Sequence, residues 1–446
     1  CDLPAYERCV PAGPGRELVG SFDGWTINSP RTRRRRSGNR GLPTATGGDL
    51  GKMNAEQGSV LSVTQGRLRD KGSPTAAINR ATVTTVRLPV RTPRKHGIGD
   101  VSGNTANVIL RLQTEDGVVG WGEASPWPVF TGTAEAVAAA LDIHLRSLII
   151  GADPFRVTEI LEKADRVLVG HPEAKGALEM ALYDIAGKIS GLPVAELLGG
   201  RCRDTVPLSV SLANPDFDAD MDFARTLVAD GVQVFKVKTG FSGHAFDIHR
   251  LETLRSEFGD TIDLRIDYNQ GMVGHEALRR LRDIEAFAPD FIEQPVPADH
   301  WDTMAQLRAA IDTPLLADES VFSPADALRA VKSRIADLFS IKVMKSGGMR
   351  RGQMVSAIAE AAGIACYGGD MFETGLAHLA GLHMVAATPN ISLGCEFYQA
   401  NYYLAEDLLA ERFPVENGTV VVPSQPGLGI DVDEARLAEF AMEARG

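Results

Sequence analysis

Residues 234–240 read VFKVKTG, an apolar run that holds two lysines, Lys236 and Lys238, spaced two apart. Side chains alternate along a β-strand, so on a strand both ammonium groups point to the same side. Burying two like charges together is costly and needs neighbours that offset it. The surrounding sequence supplies them. Short β-branched runs recur through residues 206–396: VPLSVSL, VFKVKTG, DLRIDYN, FIEQPV, LLADES, LFSIKV, IACYGG and ISLGCE. Between them lie helix-like segments such as HEALRRLRDIEAFA and PADALRAVKSRIA. Eight strands, seven followed by helices, predict a TIM-type (β/α)7β barrel. An open doubly wound sheet is the competing fold, but no GxGxxG follows the first strand of the unit.

Charged residues fall on these runs at a near-constant period. Lys238, Asp267, Glu293, Asp318 and Lys342 are separated by 29, 26, 25 and 24 residues, each about one βα unit. In a closed barrel the C-terminal strand ends face one mouth, where catalysis is normally found. Three carboxylates from adjacent strands make a hard oxygen site suited to Mg²⁺ or Mn²⁺, whereas zinc would ask for His or Cys. Such a cation binds a carboxylate substrate and stabilises charge as the α-carbon loses its proton. The base must be competent near neutrality, and an ordinary lysine is protonated there. Lys236 is expected to depress the pKa of Lys238 by like-charge crowding, making Lys238 the acid–base group. Lys342 is expected on the opposite face of the substrate.

This pattern resembles the enolase superfamily, specifically the muconate lactonizing enzyme (muconate cycloisomerase) subgroup. The matching elements are KVK, RIDYNQ, IEQP, ADES and SIKVMKSGG, joined by AKGALEMALYDIAGK, YGGDMFETG and LGCEFYQA. The resemblance implies Asp267, Glu293 and Asp318 as ligands of one divalent cation, with Lys238 and Lys342 as the acid–base pair. It implies supporting roles for Asn269, two residues past the first ligand, and for Glu373 as an acid near the substrate. Lys345, three residues beyond Lys342, is expected to be structural and to face elsewhere. Specificity in this subgroup comes from capping loops, here 94–107 and 124–133. Arg94, Lys95 and His96 are candidates to receive a second carboxylate, and Trp127 and Phe130 to close the pocket. The implied activity is cycloisomerisation of cis,cis-muconate or a similar dicarboxylate. The alternatives are racemisation or epimerisation of N-substituted amino acids or dipeptides, or another lyase reaction of the superfamily. A non-catalytic ligand-binding barrel would gain nothing from a tuned lysine pair, and a Schiff-base aldolase would not need three metal-type acids.

The remaining sequence frames this barrel. ATVTTVRLPV and NVILRLQTEDGVVGWGEA carry strand and hairpin signals, and the helical EAKGALEMALYDIAGKISG closes on Gly191 as a C-cap would. Residues 80–205 are therefore expected to form an α+β capping domain, residues 206–396 the barrel, and residues 397–446 a segment completing the cap. Residues 1–75, rich in Gly, Pro, Ser, Thr and Arg and containing RTRRRR (31–36), are expected to be a disordered tail outside the chemistry. No apolar stretch follows the arginines, which argues against an export signal.

The 446-residue chain has a formal net charge of −12, giving no support to nucleic-acid binding. It has five cysteines without a CxxC pair and no long apolar run, which predicts a cytoplasmic protein without a membrane segment. The expected partners are a small carboxylate substrate and further copies of the chain in a homo-oligomer.

Overall fold

The computed structural model describes residues 76–442; the expected tail, with its arginine run, lies outside the described residues. Strands β1 (Ile78–Pro89), β2 (Asn104–Thr114) and β3 (Val119–Ala124) form an antiparallel meander. The helix α1 (Pro172–Ser190) lies on that sheet, and residues Glu173 to Gly187 are all buried. The approach is close because of glycine. A Cβ on Gly122 would stand 1.9 Å from the Ala177 carbonyl oxygen, so any side chain there would push sheet and helix apart. Helix α1 ends at Gly191, whose φ of 72° is the left-handed cap predicted from the sequence.

Eight parallel strands follow: β4 (Ser209–Leu212), β5 (Val234–Lys238), β6 (Asp263–Asp267), β7 (Phe291–Glu293), β8 (Leu315–Ala317), β9 (Leu338–Ile341), β10 (Ala365–Gly368) and β11 (Ile391–Cys395). They pair strictly in chain order, and a bridge between Leu208 and Cys395 joins the two ends. The result is the TIM-type barrel expected from the strand–helix rhythm. A helix follows each of the first seven strands. The last two of these, α2 (Met349–Ala361) and α3 (Gly375–Ala386), pack beside the cap. Beyond the barrel the chain returns to the meander. Thr419–Val421 pairs with Thr205–Pro207, and Met442 N donates to Thr85 O at 2.8 Å. The C-terminal segment of the described chain thus touches the meander at Thr85. Among the described residues no helix is long and apolar enough to cross a membrane.

Candidate active site

Parallel register sets the site. Lys238 lies opposite Asp267, and Asp267 lies opposite Glu293, each the last residue of its strand. Asp318 and Lys342 directly follow β8 and β9. Five charged side chains that are distant in sequence therefore converge on the C-terminal mouth of the barrel, as the period predicted.

The lysines hold the acids. Lys238 Nζ donates to Asp267 Oδ2 at 2.6 Å and to Asn269 Oδ1 at 3.1 Å. Lys342 Nζ donates to Asp318 Oδ2 at 2.7 Å, and Lys345 Nζ donates to Asp318 Oδ1 at 2.6 Å. Burial alone would raise these carboxyl pKa values. Lys238 and Lys236 outweigh it at Asp267, which is held at about 2, and Lys342 with Lys345 holds Asp318 below the ordinary range. Glu293 differs: burial and the neighbouring Asp267 push it well above the usual value, against the opposing pull of Lys236. Both Glu293 oxygens are buried and accept no hydrogen bond of good geometry among the described residues, although Lys236 Nζ stands 2.7 Å from Oε2. Glu293, buried with under-satisfied oxygens and raised by burial, Asp267 and Asp318, is the observation that fits a divalent cation held with those two acids. Among the described residues, however, the group of three whose ligand atoms all lie within 4.8 Å of one another is Asp370, Glu373 and His378.

Lys236 has a different place from the expected one. It does point to the same side as Lys238, but one layer deeper, where its ammonium contacts Glu293 and Glu396 at 2.7 Å each and Asp267 at 3.3 Å. Burial would lower its pKa, yet these carboxylates raise it well above the ordinary lysine value. Lys236 is therefore a compensated cation that clamps the candidate ligands from beneath, rather than an isolated charge pressing on Lys238. Lys345 also departs from expectation. It does not face elsewhere but donates to both the backbone and the side chain of Asp318. A short helix, Val343–Ser346, starts at Lys342 and returns position 345 to the same face.

Above the acids lies a partly open pocket. Lys238, Lys342, Asn269, Asp318 and Trp127 line it as expected, joined by Glu319 and Asp370. Glu373 does not line it. Its Oε2 folds back to accept from the Met371 backbone N–H, and Asp370, three residues earlier, takes the wall position. Lys95 is also outside, exposed and paired with Asp100 at 2.9 Å. Arg94 is buried behind Tyr398, donating to its hydroxyl with the guanidinium 4.1 Å from the centre of the Tyr403 ring. His96 does reach the pocket, but burial and then Lys238 hold its imidazole well below the usual pKa, so it is neutral. The expected cations for a second carboxylate are thus diverted, paired or uncharged. Glu319 sits directly after Asp318 in ADES, and Asp370 within GGDMFETG. Both stood in quoted motifs, yet beyond a strand end no alternation rule says which residue of the turn faces inward.

A parallel barrel capped by an α+β domain, with acids and lysines gathered at its mouth, defines an isomerase of the enolase superfamily. Residues 78–199 match the mandelate racemase / muconate lactonizing enzyme N-terminal domain, and residues 219–436 match the enolase C-terminal domain-like family. The chain belongs to the mandelate racemase / muconate lactonizing enzyme family. Over 360 residues it is 35% identical to an L-Ala-D/L-Glu epimerase of Bacillus subtilis (strain 168), covering 79% of this chain and 96% of that protein. It is 32% identical to muconate cycloisomerase 1 of Acinetobacter baylyi, covering 80% and 98%. A crystal structure of a muconate cycloisomerase from Azorhizobium caulinodans shares 49% identity with a TM-score of 0.72, covering 82% of this chain and 98% of that one.

Proposed function

We propose that this isomerase moves a proton at the carbon α to a substrate carboxylate, with Lys238 and Lys342 serving the two faces. The observation that carries the reading is that both ammonium groups reach one pocket from different strands, each beside a different candidate ligand. Asp267, Glu293 and Asp318 would hold Mg²⁺ or Mn²⁺, which when bound supplies Lewis-acid stabilisation of negative charge on the substrate carboxylate. The Lys238 nitrogen, after releasing a proton of its own to solvent, takes the α-proton: the C–H bond breaks, an N–H bond forms, and the electron pair enters the carboxylate as an enolate. Lys342, as an ammonium, returns a proton to the opposite face. Asn269 orients Lys238 through its side-chain oxygen. Lys236 keeps the charges of Asp267 and Glu293 compensated. Trp127, Phe130 and Phe372 exclude water.

Two-face transfer racemises or epimerises an amino-acid derivative. This is favoured over a dicarboxylate substrate because Arg94, Lys95 and His96, the expected cations for a second carboxylate, are diverted, paired or uncharged among the described residues. A second reading, cycloisomerisation of cis,cis-muconate or a similar dicarboxylate, is favoured by the 49% identity to the Azorhizobium caulinodans protein. Reaction in D₂O with the Mg²⁺- or Mn²⁺-loaded protein separates them. Racemisation places deuterium at the α-carbon of both enantiomers. Cycloisomerisation removes the ultraviolet absorbance of muconate and leaves deuterium beside the lactone on one face. No exchange with any carboxylate would sink both.

A further inference from the structure

A second group of ligand-type side chains is built on other residues than Asp267, Glu293 and Asp318. Asp370 and Glu373 stand in the turn after β10, and His378 in the first turn of α3. All three are buried, His378 to 1% exposure, and one ligand atom from each lies within 4.8 Å of the others. The His378 ring is fixed by Phe397 and Phe413, with ring centroids 5.2 and 5.6 Å away. Its Nε2 lies 3.5 Å from Asp370 Oδ2 and 3.9 Å from Glu373 Oε2. Neither ring nitrogen has a hydrogen-bond partner among the described residues.

The spacing favours a metal ion over a proton between these groups. An imidazolium would close on a carboxylate to about 2.7–2.9 Å, as the lysines at the mouth do at 2.6 and 2.7 Å. Bonds of about 2.0–2.2 Å to a tetrahedral cation instead hold its donor atoms about 3.3–3.6 Å apart. The two nitrogen–oxygen separations lie at that edge or a few tenths of an ångström beyond it. Among the described residues no lysine or arginine pairs with Asp370 or Glu373. Burial and then Asp370 push the Glu373 carboxyl well above its usual range, as happens at Glu293.

We propose that Asp370, Glu373 and His378 form a second cation site, selective for Zn²⁺ over Mg²⁺. One imidazole nitrogen and two carboxylate oxygens suit zinc, whereas the all-oxygen group at the mouth suits Mg²⁺. Asp370 lines the pocket, which gives the ion a way in and leaves a fourth position for water. Once filled, the site ties the turn after β10 to helix α3. Neither the site nor its test depends on the reaction proposed at Lys238 and Lys342.

The test is equilibrium dialysis of the full chain, stripped with EDTA, against Zn²⁺ in a large excess of Mg²⁺. Wild type and Asp318→Asn should each retain one tightly bound Zn²⁺. His378→Gln should weaken that equivalent at least about tenfold. A second measurement needs no variant: proton NMR of the Co²⁺-loaded wild type should show a hyperfine-shifted, exchangeable imidazole N–H. No retained zinc, loss of zinc in Asp318→Asn, undiminished zinc in His378→Gln, or absence of the N–H signal would each overturn the site.

Discussion

Buried carboxylates occur in two regions of this protein, and their surroundings differ in one respect. At the barrel mouth Asp267 and Asp318 face ammonium groups and stay ionised. At the seam between cap and barrel, Glu123, Glu173 and Glu179 are as deeply buried, but among the described residues none is ion-paired. Glu123 accepts from Asn107 Nδ2, Thr374 N, Thr374 Oγ1 and Ala377 N. Glu179 accepts from the backbone of Met349 and Arg350, and Glu173 from Thr131 Oγ1. Burial pushes all three pKa values up, Glu173 and Glu179 to about 7. Glu123 and Glu179 thus cap the N-termini of barrel helices α3 and α2, where backbone donors and the helix dipole favour an acceptor. The same functional group, a buried carboxyl, serves chemistry where cations hold its charge, and docks one domain on another where only N–H and O–H groups meet it.

Exchanging an acid in each region sharpens the contrast. Asp318→Asn should lower turnover by about 1000-fold or more and weaken Mg²⁺ binding in a calorimetric titration, because one donor is lost and Lys342 and Lys345 lose their partner. Unimpaired activity, or full wild-type activity in EDTA, would remove Asp318 from the chemistry. Glu123→Ala should instead leave Mg²⁺ affinity unchanged and reduce unfolding free energy in urea by about 3 kcal/mol, since four buried donors lose their acceptor. A variant as stable as the wild type would show that the seam is held by apolar packing alone.

Glu179 gives a pH signature with the opposite sign to that of the mouth. Its folded pKa, near 7, lies above its ordinary value of 4.5, so folding takes up a proton between these limits. Stability from this group is present at low pH and falls as pH rises from about 4.5 to 7, at up to about 1.4 kcal/mol per pH unit. Relative to wild type, Glu179→Gln should therefore gain stability from pH 5 to pH 7.5, measured as the difference in urea midpoints. Parallel profiles would contradict the seam description. The smallest effect belongs to Lys95→Ala, which removes only an exposed ion pair and should change kcat/KM by less than about twofold.

The barrel and its charged ring were legible because each βα unit returns one side chain to the same height, so spacing alone reports convergence. Legibility ends where the strand does. Asp370 and Glu373 are three residues apart in one turn, and only the path of the backbone decides which of them faces the pocket. Lys345 reads as an outward residue until a helical turn starting at Lys342 brings it back to Asp318. The alternation that puts Lys236 beside Lys238 is correct, but its compensation by Glu396 comes from 160 residues away. Glu123, Glu173 and Glu179 carry no local mark, because their donors come from segments remote in sequence.

The central claim is that Lys238 takes the α-proton, and α-proton exchange in D₂O tests it most directly. For a carboxylate that the wild type exchanges, Lys238→Ala loaded with Mg²⁺ should lose at least about 1000-fold in exchange rate while still binding the metal. Exchange at the wild-type rate in that variant would contradict the account.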